Sequence, residues 1–312
     1  MDSLAGYTSD EEPETEETQY PSEQEQELPA FDNFVSYSEN YSMKRKNLFS
    51  SFVYLPWKPE IRTRKLVQQW YDETMQKLYK EIPGLKGRYN FYSTMQNKVE
   101  LFGRFGLTQK SQVNIPHVTL FPNIYGDAPT LKQLGKLLRK ELRNVEPPSQ
   151  LVASSNSSVD AILSNPKKKI SLRLEAEPLT FLSSRTDNVF IVVKVVSDVD
   201  GQPSPEKVYL RSLMRTIQEQ VESLGLEYSW ATLGDNVAYH EDGLPEMVYH
   251  ATIAMGELKV FDKAMDSADL KAVKKVISSS SFNGRLTFEA DTIVNRSNAK
   301  ILNEYTIWQN NS

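Results

Sequence analysis

Apolar and polar residues alternate along several short segments of the chain and recur at helical spacing in others, which distinguishes strands from amphipathic helices. Apolar runs or alternation predict six strands: Phe49 to Trp57, Tyr89 to Gly103, Ile170 to Leu174, Phe190 to Val196, Arg285 to Val294 and Tyr305 to Trp308. Apolar residues at helical spacing predict helices over Thr63 to Ile82, about Pro129 to Arg143, a segment ending near Gly225, and near Asp262 to Ile277. Segment 200–205 between two of these elements is predicted to be a loop.

Two further apolar runs carry the same polar pattern, a histidine followed two residues later by a threonine. The first contains His117-Val118-Thr119 and the second His250-Ala251-Thr252, and together they use two of the three histidines in the chain. Side chains alternate between the two faces of a strand. Each histidine is therefore predicted to share one face with its threonine, while Val118 and Ala251 point to the other.

The order of predicted elements is repeated along the chain. Strand, helix, His-x-Thr strand and helix occur once before residue 150 and once after residue 189, with loops of unequal length. A Pro- and Ser-rich segment from Pro147 to Ser158 lies between the two series. The sequence therefore predicts one domain over 44–312, with a first lobe at about 48–170 and a second at about 171–312.

An imidazole beside a hydroxyl is suited to proton transfer and to hydrogen bonding of an anionic oxygen. One isolated His-x-Thr is more often a satisfied histidine on a half-buried strand than a catalytic group. Its recurrence in two apolar runs favours a shared site. Two such motifs facing a cleft are suited to RNA phosphodiester cleavage, because the 2′-OH of the substrate can act as the nucleophile.

Composition narrows the chemistry further. The chain has no cysteine and only three scattered histidines, so neither a disulfide framework nor a metal site is predicted. Glycine-rich phosphate loops and a nucleophile elbow are absent from the sequence. The longest apolar runs are too short to cross a bilayer, and the N-terminus lacks the features of a signal peptide.

Charge is distributed unevenly along the chain. Residues 1–43 hold 12 of the 41 acidic residues and none of the 36 basic ones, which leaves the remainder with a formal charge of +7. The low apolar content of this acidic segment predicts a disordered tail. A mildly basic body is compatible with an RNA partner, although the same charge is common in globular proteins.

The two motifs resemble those of the two-histidine (2H) phosphoesterases, a family defined by two His-x-Ser/Thr motifs, one in each lobe of a pseudo-symmetric fold. The resemblance is greatest to the branch that trims the 3′ end of U6 spliceosomal RNA. Tyr239, in the segment Tyr239-His240-Glu241-Asp242, lies ahead of the second motif where that branch has a tyrosine followed by acidic residues. The resemblance covers roughly residues 48 to 310.

This resemblance implies an α+β fold with two lobes, each an antiparallel sheet with outer helices and a His-x-Thr strand facing a central cleft. It implies His117 as the general base and His250 as the general acid, although the sequence alone does not fix this direction. Thr119 and Thr252 would hold the phosphate oxygens, and Tyr239 would stack on a base. His240 is expected to be a solvated loop histidine, with an extra phosphate contact as the alternative.

The implied enzyme is a metal-independent 3′-5′ exoribonuclease that leaves a 2′,3′-cyclic phosphate, which a further step can open, and that needs no cofactor. Its partner would be the single-stranded 3′ end of U6 snRNA. We expect a nuclear monomer with a possible spliceosomal RNP partner and no membrane association. Two alternatives stay open: a cyclic phosphodiesterase acting on nucleotides or tRNA-splicing ends, and an RNA-binding module without turnover.

Overall fold

The computed structural model of the protein describes residues 49–95, 116–153, 169–182, 187–228, 244–259, 262–297 and 300–307. The predicted acidic tail, Tyr239 and His240 lie outside these ranges, as do residues 96–103 of the second predicted strand. Trp308, at the end of the last predicted strand, lies outside them too.

Strands form most of the framework. Within the described ranges they are β1 (Phe49–Pro56), β2 (Tyr89–Ser93), β3 (His117–Gly126), β4 (Val152–Ala153), β5 (Lys169–Leu174), β6 (Leu179–Leu182), β7 (Val189–Lys194), β8 (Asp198–Val199), β9 (Gln202–Pro203), β10 (Glu227–Tyr228), β11 (His250–Leu258), β12 (Leu286–Ala290), β13 (Thr292–Ser297) and β14 (Lys300–Thr306). The two His-x-Thr motifs open β3 and β11.

The helices of the described ranges are α1 (Ile61–Glu81), α2 (Leu85–Arg88), α3 (Ala128–Glu141), α4 (Pro205–Ser223) and α5 (Ser267–Ser278). Short 3-10 turns cover Leu142–Asn144 and Ser149–Leu151. Three helices begin at a polar cap whose side chain accepts from a backbone N–H three residues on: Asp127 for α3, Ser204 for α4 and Asp266 for α5. Such caps satisfy donors that the first turn leaves unpaired.

A nine-stranded sheet contains both motif strands at its centre. Its order is β14-β13-β1-β3-β11-β7-β6, with β10 beside β3 and β2 beside β11, and the paired strands are antiparallel. Between β3 and β11 the paired residues are Val118 and Ala251. Towards their C-terminal ends the strands separate, because β10 pairs with β3 and β2 pairs with β11.

Elements of each series pack against elements of the other series. Strand β2 follows the first helix of the first series but pairs with β11, whereas β10 follows the corresponding helix of the second series but pairs with β3. The helices do the same, since α3 packs on α4 and α1 packs on α5. The part of the sheet around β3 and the part around β11 therefore each contain elements from both series. The predicted lobe boundary near residue 170 stays a prediction.

The two faces of the large sheet differ. On one face, Val118, Leu120, Ala251 and Ile253 belong to the main hydrophobic core, which also contains the buried side chains of α1, α3 and α4. The second sheet, of order β12-β5-β4, contributes to that core as well. The opposite face carries the histidines and threonines of the motifs, and we name it the motif face.

One predicted strand and one predicted loop need correction. Arg285 to Val294 is predicted as one strand, but the chain bends at Asp291, so β12 joins β5 in the second sheet while β13 joins β1 in the large sheet. The predicted loop at 200–205 contains the turn of a tight hairpin, which joins β8 to β9, and β9 itself. Asp200 and Gly201 both have positive φ, 52° and 75°, which is the backbone of a type I′ turn.

Two further differences concern short or capped elements. The predicted helix near Asp262 begins later, at Ser267, because Asp266 caps it. Strand β6 has four residues, which are too few to show a clear alternation in the sequence by themselves. The α+β class and the antiparallel sheet are confirmed.

Candidate active site

The register of β3 and β11 brings the two motifs together on the motif face. Val118 and Ala251 are partners, and in an antiparallel ladder each step forward on one strand is a step back on the other. His117 therefore lies opposite Thr252, and Thr119 lies opposite His250. Each histidine is paired across the strands with the threonine of the other motif.

The predicted alternation of side chains is confirmed in both strands. Val118 and Ala251 are completely buried in the main core, with 0% exposure for each. His117, Thr119 and Thr252 are half-buried, as expected for side chains on a face that a ligand can approach. The four motif side chains thus occupy two adjacent strands and do not come from separate sheets.

His250 is held in a defined orientation by the backbone. Its exposure is 6%, and its Nδ1 atom lies 3.0 Å from the Val248 carbonyl oxygen. Because a carbonyl oxygen only accepts hydrogen bonds, we assign the ring proton to Nδ1. The Nε2 atom of the neutral ring is then an acceptor.

Burial lowers the pKa of His250 from its usual 6.5 to about 4. The hydrogen bond to Val248 raises this pKa, and the positive charge of His117 lowers it, but burial is the largest effect. His250 is therefore neutral at pH 7.

His117 lies in a different environment, against an aromatic pair on β1. The ring centroids of His117 and Tyr54 are 4.9 Å apart, and those of His117 and Phe52 are 5.9 Å apart. Phe52 and Tyr54 are stacked with centroids 4.8 Å apart. Burial raises the pKa of Tyr54, partly offset by the charge of Arg296 and a hydrogen bond to it, so the phenol is neutral at pH 7.

The threonine hydroxyls lie beside the histidines. The Thr119 hydroxyl oxygen is buried, and among the residues that the structure describes it has no hydrogen-bond partner. A buried hydroxyl without a partner is costly, so it is a candidate donor to a bound anion. Thr252 is followed by a break in the β7 register, and Thr94 supports that break by donating to the Thr252 carbonyl at 3.0 Å.

Two small apolar clusters flank the motif side chains on the motif face. The cluster beside His117 contains Phe52, Tyr54 and Val294. The cluster on the β7 side contains Phe181, Phe190, Val192 and Met255, and the ring of Phe181 lies 6.3 Å from that of His250. Both clusters are separate from the main core.

Sequence patterns do not single out the groups that lie beside the motifs. These are the Val248 carbonyl, Tyr54 and Lys194, although Lys194 is the one charged residue in the apolar run from Phe190 to Val196. That isolated charge was a signal for a side chain on the polar face. Tyr54 had no distinguishing signal, because its neighbours on β1 are also apolar or aromatic.

The structure brings together four of the five predicted site residues: His117, Thr119, His250 and Thr252. Tyr239 lies outside the described residues, so its position stays a prediction. In the described part of the chain, no group of three or more His, Asp or Glu side chains could hold a metal ion. None of the described helices is long and apolar enough to span a membrane.

No family model matches the chain, and no curated protein matches its sequence. Among solved structures, the chain is similar to Usb1 from Kluyveromyces marxianus, with 12% identity, a TM-score of 0.48, and coverage of 84% of this chain and 98% of that chain. A structure of the same protein with uridine monophosphate shows 11% identity, a TM-score of 0.48 and the same coverage.

The chain is also similar to E. coli LigT complexed with 3′-AMP, with 13% identity, a TM-score of 0.38, and coverage of 84% of this chain and 99% of that chain.

Proposed function

We propose that the protein is a phosphodiesterase of the two-histidine type that cleaves RNA at its 3′ end. The observation that carries this proposal is the cross-strand pairing of each histidine with the threonine of the other motif. Two proton carriers and two hydroxyl donors then surround one small volume on the motif face. A binding module without turnover has no need of two paired imidazoles.

In the proposed reaction, one imidazole takes the proton of the 2′-OH on the penultimate nucleotide. The 2′ oxygen forms a bond to the adjacent phosphorus, and the bond from phosphorus to the 5′ oxygen of the terminal nucleoside breaks. The other imidazole, protonated, gives its proton to that 5′ oxygen. The products are a 2′,3′-cyclic phosphate and a free nucleoside, and the two imidazoles complete both proton transfers without a metal ion.

We infer that His250 is the base and His117 the acid, the reverse of the direction implied by sequence resemblance. A general base must be unprotonated before reaction, and burial together with the Nδ1 contact to Val248 favours a neutral His250 whose Nε2 is the acceptor atom of the ring. His117 is the less buried of the two side chains and is assigned the role of acid. The first turnover step therefore begins at His250.

Thr119 and Thr252 are proposed to donate hydrogen bonds to the non-bridging oxygens of the phosphate. Charge gathers on these oxygens as the phosphorus becomes five-coordinate, so donors fixed in place stabilise that state more than the substrate. Both hydroxyls lie beside a histidine of the opposite motif, which supports this role.

We further propose U6 snRNA as the substrate, a nuclear location, a monomeric state and base stacking on Tyr239. A spliceosomal RNP partner belongs to the same proposal. These finer assignments rest on the motif resemblance in the sequence. Sequencing the 3′ ends of small RNAs after depletion of the protein tests the substrate: lengthened U6 ends support it, and unchanged ends exclude it.

The reaction itself is tested with matched oligoribonucleotides. One is all-ribose, and the other has a single 2′-deoxy residue at the penultimate position, which removes the nucleophile but no phosphate. The all-ribose oligomer should lose its terminal nucleoside in the presence of EDTA, and mass spectrometry should show a cyclic phosphate. Equal trimming of both oligomers would mean that water attacks directly, and loss of activity with chelator would require a metal.

A further inference from the structure

One row of side chains crosses the motif face at the level of His250. Lys194 on β7 is the register partner of His250, and Thr119 lies on the other side of His250. Tyr54 on β1 is in turn opposite Thr119. Since neighbouring strands lie ~4.8 Å apart, Lys194 stands one strand spacing from His250, on the side away from His117.

The side chain of Lys194 shares the motif face with His250. Three consecutive register pairs join β11 to β7 here, His250 with Lys194, Ala251 with Val193 and Thr252 with Val192. Ala251 and Val193 are completely buried in the main core. The residues on either side of them in each strand therefore point to the motif face.

The ammonium group of Lys194 is anchored yet open to solvent. Its Nζ atom lies 2.9 Å from Glu175 Oε2, and the two side chains are 29% and 30% exposed. The backbone N–H of Glu175 donates to the Lys194 carbonyl oxygen at 2.8 Å, so the acid is fixed beside the lysine. His250, at 6% exposure, lies deeper than this ion pair.

The first motif has no equivalent cation in this position. The register partner of His117 on β1 is Pro56. The charge next to His250 is thus a departure from the repeated plan of the fold. A partly exposed ammonium group at the edge of a phosphodiester site can bind a second phosphate of the substrate.

We propose that Lys194 is a phosphate-binding residue that recognises the phosphate on the 5′ side of the penultimate nucleotide. This proposal rests on the proposed function, in which His250 acts on the 2′-OH of that same nucleotide. The phosphate on the 5′ side of that nucleotide then lies on the β7 side of His250. The four-carbon side chain of Lys194 places its ammonium group there. Glu175 orients the ammonium group. The substrate class is therefore a polynucleotide end, preferred over a dinucleoside monophosphate.

The test compares a dinucleoside monophosphate with the same molecule carrying a 5′-phosphate or a 3′-phosphate. Lys194→Met keeps an unbranched apolar stem and removes only the charge. We expect this variant to lower kcat/KM about ten-fold for the 5′-phosphorylated substrate, mainly through KM, with less than about two-fold change for the other two. Lys194→Arg should restore most of the loss.

Lys169→Met is the matched control, because Lys169 also forms an ion pair, with Glu289 at 3.7 Å, but lies on the separate sheet. It should not alter the preference. An equal loss on all three substrates would mean that Lys194 only supports the fold, and a loss confined to the 3′-phosphorylated substrate would place the phosphate on the leaving side. Either result overturns the proposal.

Equilibrium binding separates this proposal from the proposed function. Calorimetry with 2′-deoxy dinucleotides, which cannot react by the proposed route, measures the subsite without turnover. A 5′-phosphate should strengthen binding to the wild-type protein about ten-fold and have no such effect in Lys194→Met. If the wild-type protein binds in this way but cleaves no ribonucleotide, the subsite stands and the proposed reaction fails.

Discussion

The two His-x-Thr motifs are alike in sequence but lie in different environments. His250 is buried, bonded through Nδ1 to the Val248 carbonyl and adjacent to Lys194. His117 is half-buried, packed against the ring of Tyr54 and opposite Pro56. A repeated motif therefore does not imply equivalent histidines.

This difference accounts for the two opposite proton transfers of the proposed reaction. Environments that push the protonation of two similar groups apart assign one as base and the other as acid. Burial lowers the pKa of His250 and keeps this imidazole neutral. A positive charge on His117 lowers the same pKa further. The two histidines thus differ through their surroundings, although the two motifs have the same sequence pattern.

The largest expected effect comes from removing either imidazole. His117→Ala and His250→Ala should each lower kcat on an oligoribonucleotide by about 10³-fold, within the ~10² to ~10⁴ typical of one proton transfer. Their stabilities should differ, since His250 is buried and bonded to the Val248 carbonyl, whereas His117 is half-buried. Thermal melting should show a larger loss for His250→Ala. Near-normal activity in either variant would remove the two-histidine mechanism.

Thr119→Val and Thr252→Val test the hydroxyls at nearly constant shape. Each should reduce kcat by about 10²-fold if the hydroxyl donates to the phosphate in the transition state. Thr119→Val should not destabilise the protein, because its buried hydroxyl has no partner among the described residues. Denaturant unfolding gives the stability. A Thr119→Val variant that unfolds more easily but turns over normally would make this threonine structural.

The pH dependence of stability reports the environment of His250. Its pKa is about 4 in the folded protein and ~6.5 in the unfolded chain, so the folded state binds fewer protons between these values. As pH drops from about 6.5 to about 4, the contribution of this residue to the free energy of unfolding should therefore fall by ~3 kcal/mol. His250→Gln should lose that component. Parallel curves for wild type and variant would mean that His250 titrates normally.

Local patterns in the sequence predicted the elements but not their association. Alternation within each motif was enough to place Val118 and Ala251 in the core, and helical spacing placed α1 and α3 within two residues of their observed ends. The pairing of β3 with β11 depends on contacts between residues more than one hundred positions apart, which a local pattern does not contain. The exchange of β2 and β10 has the same origin.

The chemistry of the site was predictable only in part. Two histidines and two threonines followed from the recurring motif. The burial of His250 depends on how the strands assemble into the sheet, so the sequence could not indicate which histidine is neutral. Lys194 illustrates the same limit: its charge was visible in an apolar strand, but its place beside His250 required the register.

The most direct test of the account uses a dinucleotide whose 5′ leaving oxygen is replaced by sulfur. A thiolate leaves without protonation, since thiols have a pKa near ~8.5, whereas the 2′-OH still needs a base. The account predicts that this substrate restores most of the activity of His117→Ala and none of that of His250→Ala. Rescue of His250→Ala with continued loss in His117→Ala would contradict the assignment of His250 as base and His117 as acid.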